Sequence, residues 1–163
     1  LPQVVRRQRQ MCIRDSLKSL FESPEASPET EDKLSIAAAA LLTHAARLDG
    51  QADGIEINTL RHILQDGFSL SEDETQELMT LADTLESEAN DLYRWTKVIN
   101  AHYELPQKIV LVEKLWMVVL SDGRLDDYEA NLLRRISGLI HVPDIETGAA
   151  RQRAATNLGL NKL

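Results

Sequence analysis

The stretch Val119-Leu120-Ser121-Asp122-Gly123-Arg124-Leu125-Asp126-Asp127-Tyr128-Glu129 is a compact acidic turn set between two apolar runs that recur at helical spacing. It occurs twice. Seventy-three positions earlier the chain reads Leu48-Asp49-Gly50-Gln51-Ala52-Asp53-Gly54-Ile55-Glu56. Aligning residues 42–63 with 115–136 pairs Asp49 with Asp122, Gly50 with Gly123, Asp53 with Asp126 and Glu56 with Glu129. The agreement continues through Asn58/Asn131, Leu60/Leu133, Arg61/Arg134 and Ile63/Ile136. With Leu42/Leu115 that makes nine identities in twenty-two positions, where average composition gives roughly one or two by chance. A helix, an acidic turn and a second helix therefore form a unit that is used twice.

Outward from the turns, apolar periodicity marks further helices. Leu34, Ala37, Leu41, Leu42, Ala45 and Leu48 predict a helix over 31–48, whose alanines imply close approach of its neighbours. A second helix over 53–65 presents Leu60, Ile63 and Leu64 to the core, and Gly67 ends it. Ser71 and Glu74 form a capping box that opens a third, over 72–87, with Leu78, Leu81 and Leu85 inward. A fourth starts near Asp91 and aligns Leu92, Trp95, Ile99 and His102 as a core stripe. Pro106 belongs in the first turn of a fifth, where proline is tolerated; residues 109–120 are apolar on nearly every face and predict the buried axis. Leu132, Leu133, Ile136, Leu139 and Ile140 line a sixth helix, and Pro143-Asp144 caps a seventh over 145–156. No strand or nucleotide-binding loop is legible. The expected fold is all-α, a single bundle of six or seven helices with an internally duplicated core.

Residues 1–16, which include Arg6-Arg7-Gln8-Arg9-Gln10-Met11-Cys12-Ile13-Arg14-Asp15-Ser16, resemble one reading frame of a transposon-based sequencing adapter. They are set apart from the fold as a cloning scar would be, with a native start expected just upstream of Leu17. Residues 17–30 read as a short N-terminal segment and an acidic Pro/Ser/Glu linker, 31–158 as the helical domain and 159–163 as a tail. Four arginines and one aspartate leave with residues 1–16, so 17–163 carry 14 basic and 25 acidic side chains, a net of −11. So negative a surface repels phosphate backbones and anionic lipid, which argues against nucleic-acid or membrane binding. The longest apolar runs, Ile36 to Leu42 and Leu115 to Leu120, are far too short to span a bilayer. Cys12 is the sole cysteine, so no disulfide framework exists, as suits a reducing, cytoplasmic setting.

Two readings of the acidic turn stand side by side. Glycine just past a helix end supplies a left-handed residue, and Asp53-x-x-Glu56 and Asp126-x-x-Glu129 match N-terminal capping boxes. Asp49 and Asp122 fit this less well. A carboxylate in the last turn of a helix faces the negative end of the macrodipole and costs a few tenths of a kcal/mol, up to about one. In the other reading, Asp49, Asp53 and Glu56, and likewise Asp122, Asp126 and Glu129, bring three oxygen ligands at i, i+4 and i+7 to a divalent cation such as Ca²⁺ or Mg²⁺. The spacing is not that of an EF-hand. Arg61 and Arg134 are alternative partners for the same carboxylates. Position 117 is Met where the first copy has His44, so no duplicated histidine ligand exists, and His62, His102 and His141 show no metal spacing. The run from Glu72 to Asp91 is a solvated acidic face, and no catalytic triad or carboxylate pair is identifiable.

The assembled chain resembles the TerB family, small helical proteins of bacterial tellurite-resistance clusters related to the N-terminal region of the DjlA co-chaperone. The likeness covers about 17–155. It rests on the paired Asp-Gly-x-x-Asp-x-x-Glu turns, the Leu-Arg after each, Phe68-Ser69-Leu70-Ser71, Asp91-Leu92-Tyr93-Arg94-Trp95 and Val112-Glu113-Lys114-Leu115-Trp116, and is nearest a stand-alone TerB-like branch. The resemblance implies a non-catalytic helical domain with an acidic cation-binding face. The first turn departs in having Gly54 where the second has Asp127, so the second is the better cation candidate. The expected function is a cation-binding or cation-sensing interaction module tied to tellurite and metal stress, with protein partners that include a second copy of the chain as a homodimer. The alternative is a metal-free scaffold or co-chaperone-like binder.

Overall fold

The computed structural model describes residues 28–47, 54–68, 70–89 and 92–160. The expectations for residues 1–27, for Asp49 and Asp53, and for the tail beyond Leu160 lie outside them. Among the described residues the secondary structure is helical throughout: α1 Pro28–Ala46, α2 Gly54–Phe68, α3 Glu72–Ala89, α4 Leu92–His102, α5 Leu105–Val119, α6 Asp127–Leu139 and α7 Asp144–Asn157. The all-α expectation holds. None of these helices is long and apolar enough to cross a membrane.

Helix boundaries follow the duplication. α1 and α5 end at Ala46 and Val119, and α2 and α6 begin at Gly54 and Asp127, so both pairs keep the offset of seventy-three. The repeat then extends beyond the stretch of visible identity, with its offset shortened by one residue. Leu70 N–H donates to Gln65 O and Val142 N–H to Ser137 O, closing α2 and α6 seventy-two positions apart. At the same offset Thr75 and Thr147, both buried, donate their hydroxyls back to Ser71 O and Pro143 O. Ala82 and Ala154, both fully buried, coincide as well. The repeating unit is thus three helices, α1–α2–α3 and α5–α6–α7, with α4 as the link. Within each unit every helix packs on the other two. Between units α1 meets α5, α2 meets α5 and α1 meets α6, a reciprocal pattern that a pseudo-twofold relation produces.

The first helix of each unit occupies the centre. Along α1, Ala37 to Leu42 are buried without a break, because alanine lets α2, α3, α4, α5 and α6 all approach it. In α5, Leu111, Val112, Leu115, Trp116, Val118 and Val119 are buried. The axis is therefore shared between α1 and α5, where sequence periodicity assigned it to the fifth helix alone. Other departures are local. Leu81 is 43% exposed, and Thr75 and Ala82 take its place inside. His102 lies on the surface, so the stripe of α4 is Leu92, Trp95, Thr96 and Ile99. Gly67 lies within the last turn of α2, which continues to Phe68. Pro143 stands at the N-cap of α7 without a side-chain bond, and Asp144 is already helical. The Ser71–Glu74 box is present in both directions, at 2.8 Å and 3.2 Å.

Candidate functional site

The second acidic turn is a chain of backbone groups answered one after another. α5 stops when Ser121 directs its hydroxyl, 2.6 Å, at Val118 O, and Gly123 N–H closes onto Leu120 O at 2.9 Å. Gly123 adopts φ +77°, where a side chain is strained even though a Cβ would meet only Leu160 Cδ2 at 4.0 Å. Asp122 lies three residues past the last helical residue and accepts Arg124 N–H on Oδ1 at 2.8 Å, an Asx turn. Its carboxylate thus leaves the helix end and finds a donor, which removes the macrodipole objection raised by sequence position. Leu125 packs against the core and anchors the loop.

Asp126 then opens α6. It is an extended N-cap residue whose Oδ1 accepts Tyr128 N–H at 3.2 Å, while Glu129 Oε2 accepts Asp126 N–H at 3.0 Å. The reciprocal box leaves Glu129 only 5% exposed, and its counterpart Glu56 only 7%. Of the sequence-predicted site residues, Asp126 and Glu129 are joined through this box and Asp122 is held separately by Arg124. Among the described residues no three His, Cys, Asp or Glu side chains gather as a metal-ligand group. Arg134 is exposed and makes no ion pair among the described residues, whereas Arg61 reaches across to α3 and donates to Gln76 Oε1 at 3.0 Å.

Two features escaped sequence reading. Ile55 and Tyr128 are 51% and 74% exposed. Each is the second residue of its helix, at equivalent positions of the two units, beside a buried glutamate. The offset of seventy-three was enough to pair them, but apolar periodicity counts any such side chain as core. The second feature is a cavity of about 190 Å³ between α1, α2 and α3, bordered by Arg47, Arg61 and Asp83. No spacing along the chain joins those residues.

Two three-helix units, packed through their first helices and each opening its second helix beside a buried capping glutamate, define a class of small, internally duplicated all-α domains. Residues 35–152 match the family described as tellurite resistance protein TerB, and the chain belongs to that family. Among solved structures it is similar to a protein of unknown function, PG1108, from Porphyromonas gingivalis W83. That likeness has a TM-score of 0.58 at 20% identity over 75% of this chain and 87% of that one, and it bears on the fold alone. No curated protein matches.

Proposed function

We propose that the chain is a non-catalytic protein-interaction domain of the tellurite-resistance response, docking a protein partner through the surface beside its duplicated turns. The observation that carries this reading is the pair Ile55 and Tyr128, large apolar side chains presented to solvent at equivalent positions of both units. An exposed aromatic with an acidic rim is the composition of a protein-binding anchor. We read the setting as cytoplasmic. The test is cross-linking in a native host with the intact chain and with Ile55→Ser/Tyr128→Ser. The reading expects capture to be lost in the double variant at an unchanged melting temperature; undiminished capture would refute it.

A second reading, a Ca²⁺ or Mg²⁺ ion held by Asp122, Asp126 and Glu129 and by Asp49, Asp53 and Glu56 in the first copy, is favoured by charge. Residues 122–129 hold four carboxylates against the lone cation Arg124. Calorimetric titration with Ca²⁺, Mg²⁺, Mn²⁺ and Zn²⁺ decides it. This reading expects heat that the double variant Asp49→Asn/Asp122→Asn abolishes; no heat, or heat unchanged in that variant, removes it.

A further inference from the structure

The two units differ most where the first one has a hole. With the offsets of seventy-three and seventy-two, Thr43 corresponds to Trp116, Arg47 to Leu120 and Asp83 to Ala155. In the second unit these positions are filled by apolar groups: Trp116, Leu120 and Ala155 are all buried, and the Arg151 guanidinium covers the indole at 5.3 Å. In the first unit the same region carries polar side chains and leaves a cavity of about 190 Å³ between α1, α2 and α3. Packing that closes one copy has been replaced in the other by a polar recess.

The recess is rich in donors. Gln76 Oε1 is occupied by Arg61, so the amide is oriented with its Nε2 towards Thr80 Oγ1 at 3.4 Å. Thr80 in turn commits its single proton to Gln76 O at 2.8 Å. Arg47 pairs with Asp83, using the only carboxylate in the lining. Among the described residues, what stays uncommitted is mostly N–H: the remaining guanidinium donors of Arg61 and Arg47 and the second amide proton of Gln76. Thr43, 2% exposed, adds a hydroxyl with no hydrogen-bond partner. A buried hydroxyl without a partner is costly, and either a water or a ligand oxygen entering the recess satisfies it. Two arginines against one aspartate make the recess net positive on a chain of net charge −8. Ile57, Leu60 and Met79 complete the wall.

We propose that this cavity is a binding site for a small oxyanion, a carboxylate or a phosphate, held by Arg61 and Arg47 with Gln76 and Thr43 completing the hydrogen bonds. The volume suits such a group and is smaller than the roughly 300 Å³ at which pockets for larger ligands begin. The site is independent of the apolar surface at Ile55 and Tyr128. The experiment is a titration of the full chain followed by ¹H–¹⁵N spectra, with inorganic phosphate in one arm, acetate in a second and chloride at matched ionic strength as the control. The proposal expects saturable shifts at Thr43, Arg47, Arg61, Gln76 and Thr80 with phosphate or acetate and not with chloride. Which arm saturates first identifies the oxyanion. Arg61→Gln and, separately, Arg47→Leu, which installs the residue of the second unit, are expected to weaken binding by about tenfold or more. Thr43→Val, nearly isosteric, serves as the third variant and is expected to weaken binding severalfold while retaining a dispersed spectrum. Shifts no larger than those of chloride, or unchanged affinity in the variants that remain folded, would overturn the site.

Discussion

Glu129 shows what one residue contributes to this fold. Its carboxylate is almost fully buried and receives Asp126 N–H, so truncation strips the donor of its acceptor and opens the first turn of α6. Glu129→Ala should lower the unfolding free energy by about 1–3 kcal/mol and Asp126→Ala by about 1 kcal/mol, read from denaturant midpoints at constant m. Asp122→Asn keeps an oxygen acceptor for Arg124 N–H and should stay within about 0.5 kcal/mol of the parent. Gly123→Ala should cost about 1–2 kcal/mol through its left-handed backbone. Tyr103 adds a pH dependence on the alkaline side. Burial pushes its phenol well above the ordinary value, so above pH ~10 the unfolded chain releases a proton that the folded chain keeps. The folded state then binds more protons, the slope of stability against pH is negative, and the contribution present below pH ~10 is lost as the pH rises. Tyr103→Phe should flatten that alkaline loss in unfolding curves taken between about pH 8 and pH 11. Residue roles in the turn were half legible from sequence. Capping boxes are local and show in spacing, but the donor for Asp122 depended on where α5 stops, and Val119-Leu120-Ser121 carries no sharp stop signal.

At the scale of elements, α1 and α6 make the clearest predictions. The uninterrupted burial of Ala37 to Ala40 leaves no side of α1 free for added volume, so Ala40→Leu should destabilise by about 1–3 kcal/mol despite leucine's good helix propensity. α6 ends with His141 at φ 61°, a left-handed conformation held while Val142 N–H reaches Ser137 O at 2.9 Å. His141→Gly, at an exposed position, should therefore raise stability by roughly 0.5–1 kcal/mol, measurable as a shift in thermal midpoint. Element existence was legible nearly throughout, because each helix carries its own apolar period. Orientation was not. Leu81 is exposed because Thr75 and Ala82 turn inward, and a buried threonine bonded to Ser71 O has no apolar signature. The centrality of α1 was half legible: its alanines implied close approach of neighbours, but their weak hydrophobicity did not mark it as the helix on which five others converge.

For the whole molecule, the organising fact is that one three-helix unit is used twice and specialised once. Identity in the sequence marked only the first two helices of each unit, since the loss of one residue within α6, between Ile136 and Ser137, shifts the register from seventy-three to seventy-two. Past that point a fixed-offset comparison aligns unlike faces. In the corrected register Thr75 matches Thr147, and Ala82 matches Ala154. The polar recess became visible only when Thr43 could be set against Trp116 and Asp83 against Ala155. Divergence between copies thus points to function where resemblance between them points to fold. The most direct test of the duplication is a crystal structure of the chain, superposing α1–α2–α3 on α5–α6–α7. A single rotation that overlays all three pairs, with Glu56 on Glu129 and Thr75 on Thr147, is the predicted result. An overlay that accommodates only one helix pair, or that requires a different register, would contradict it.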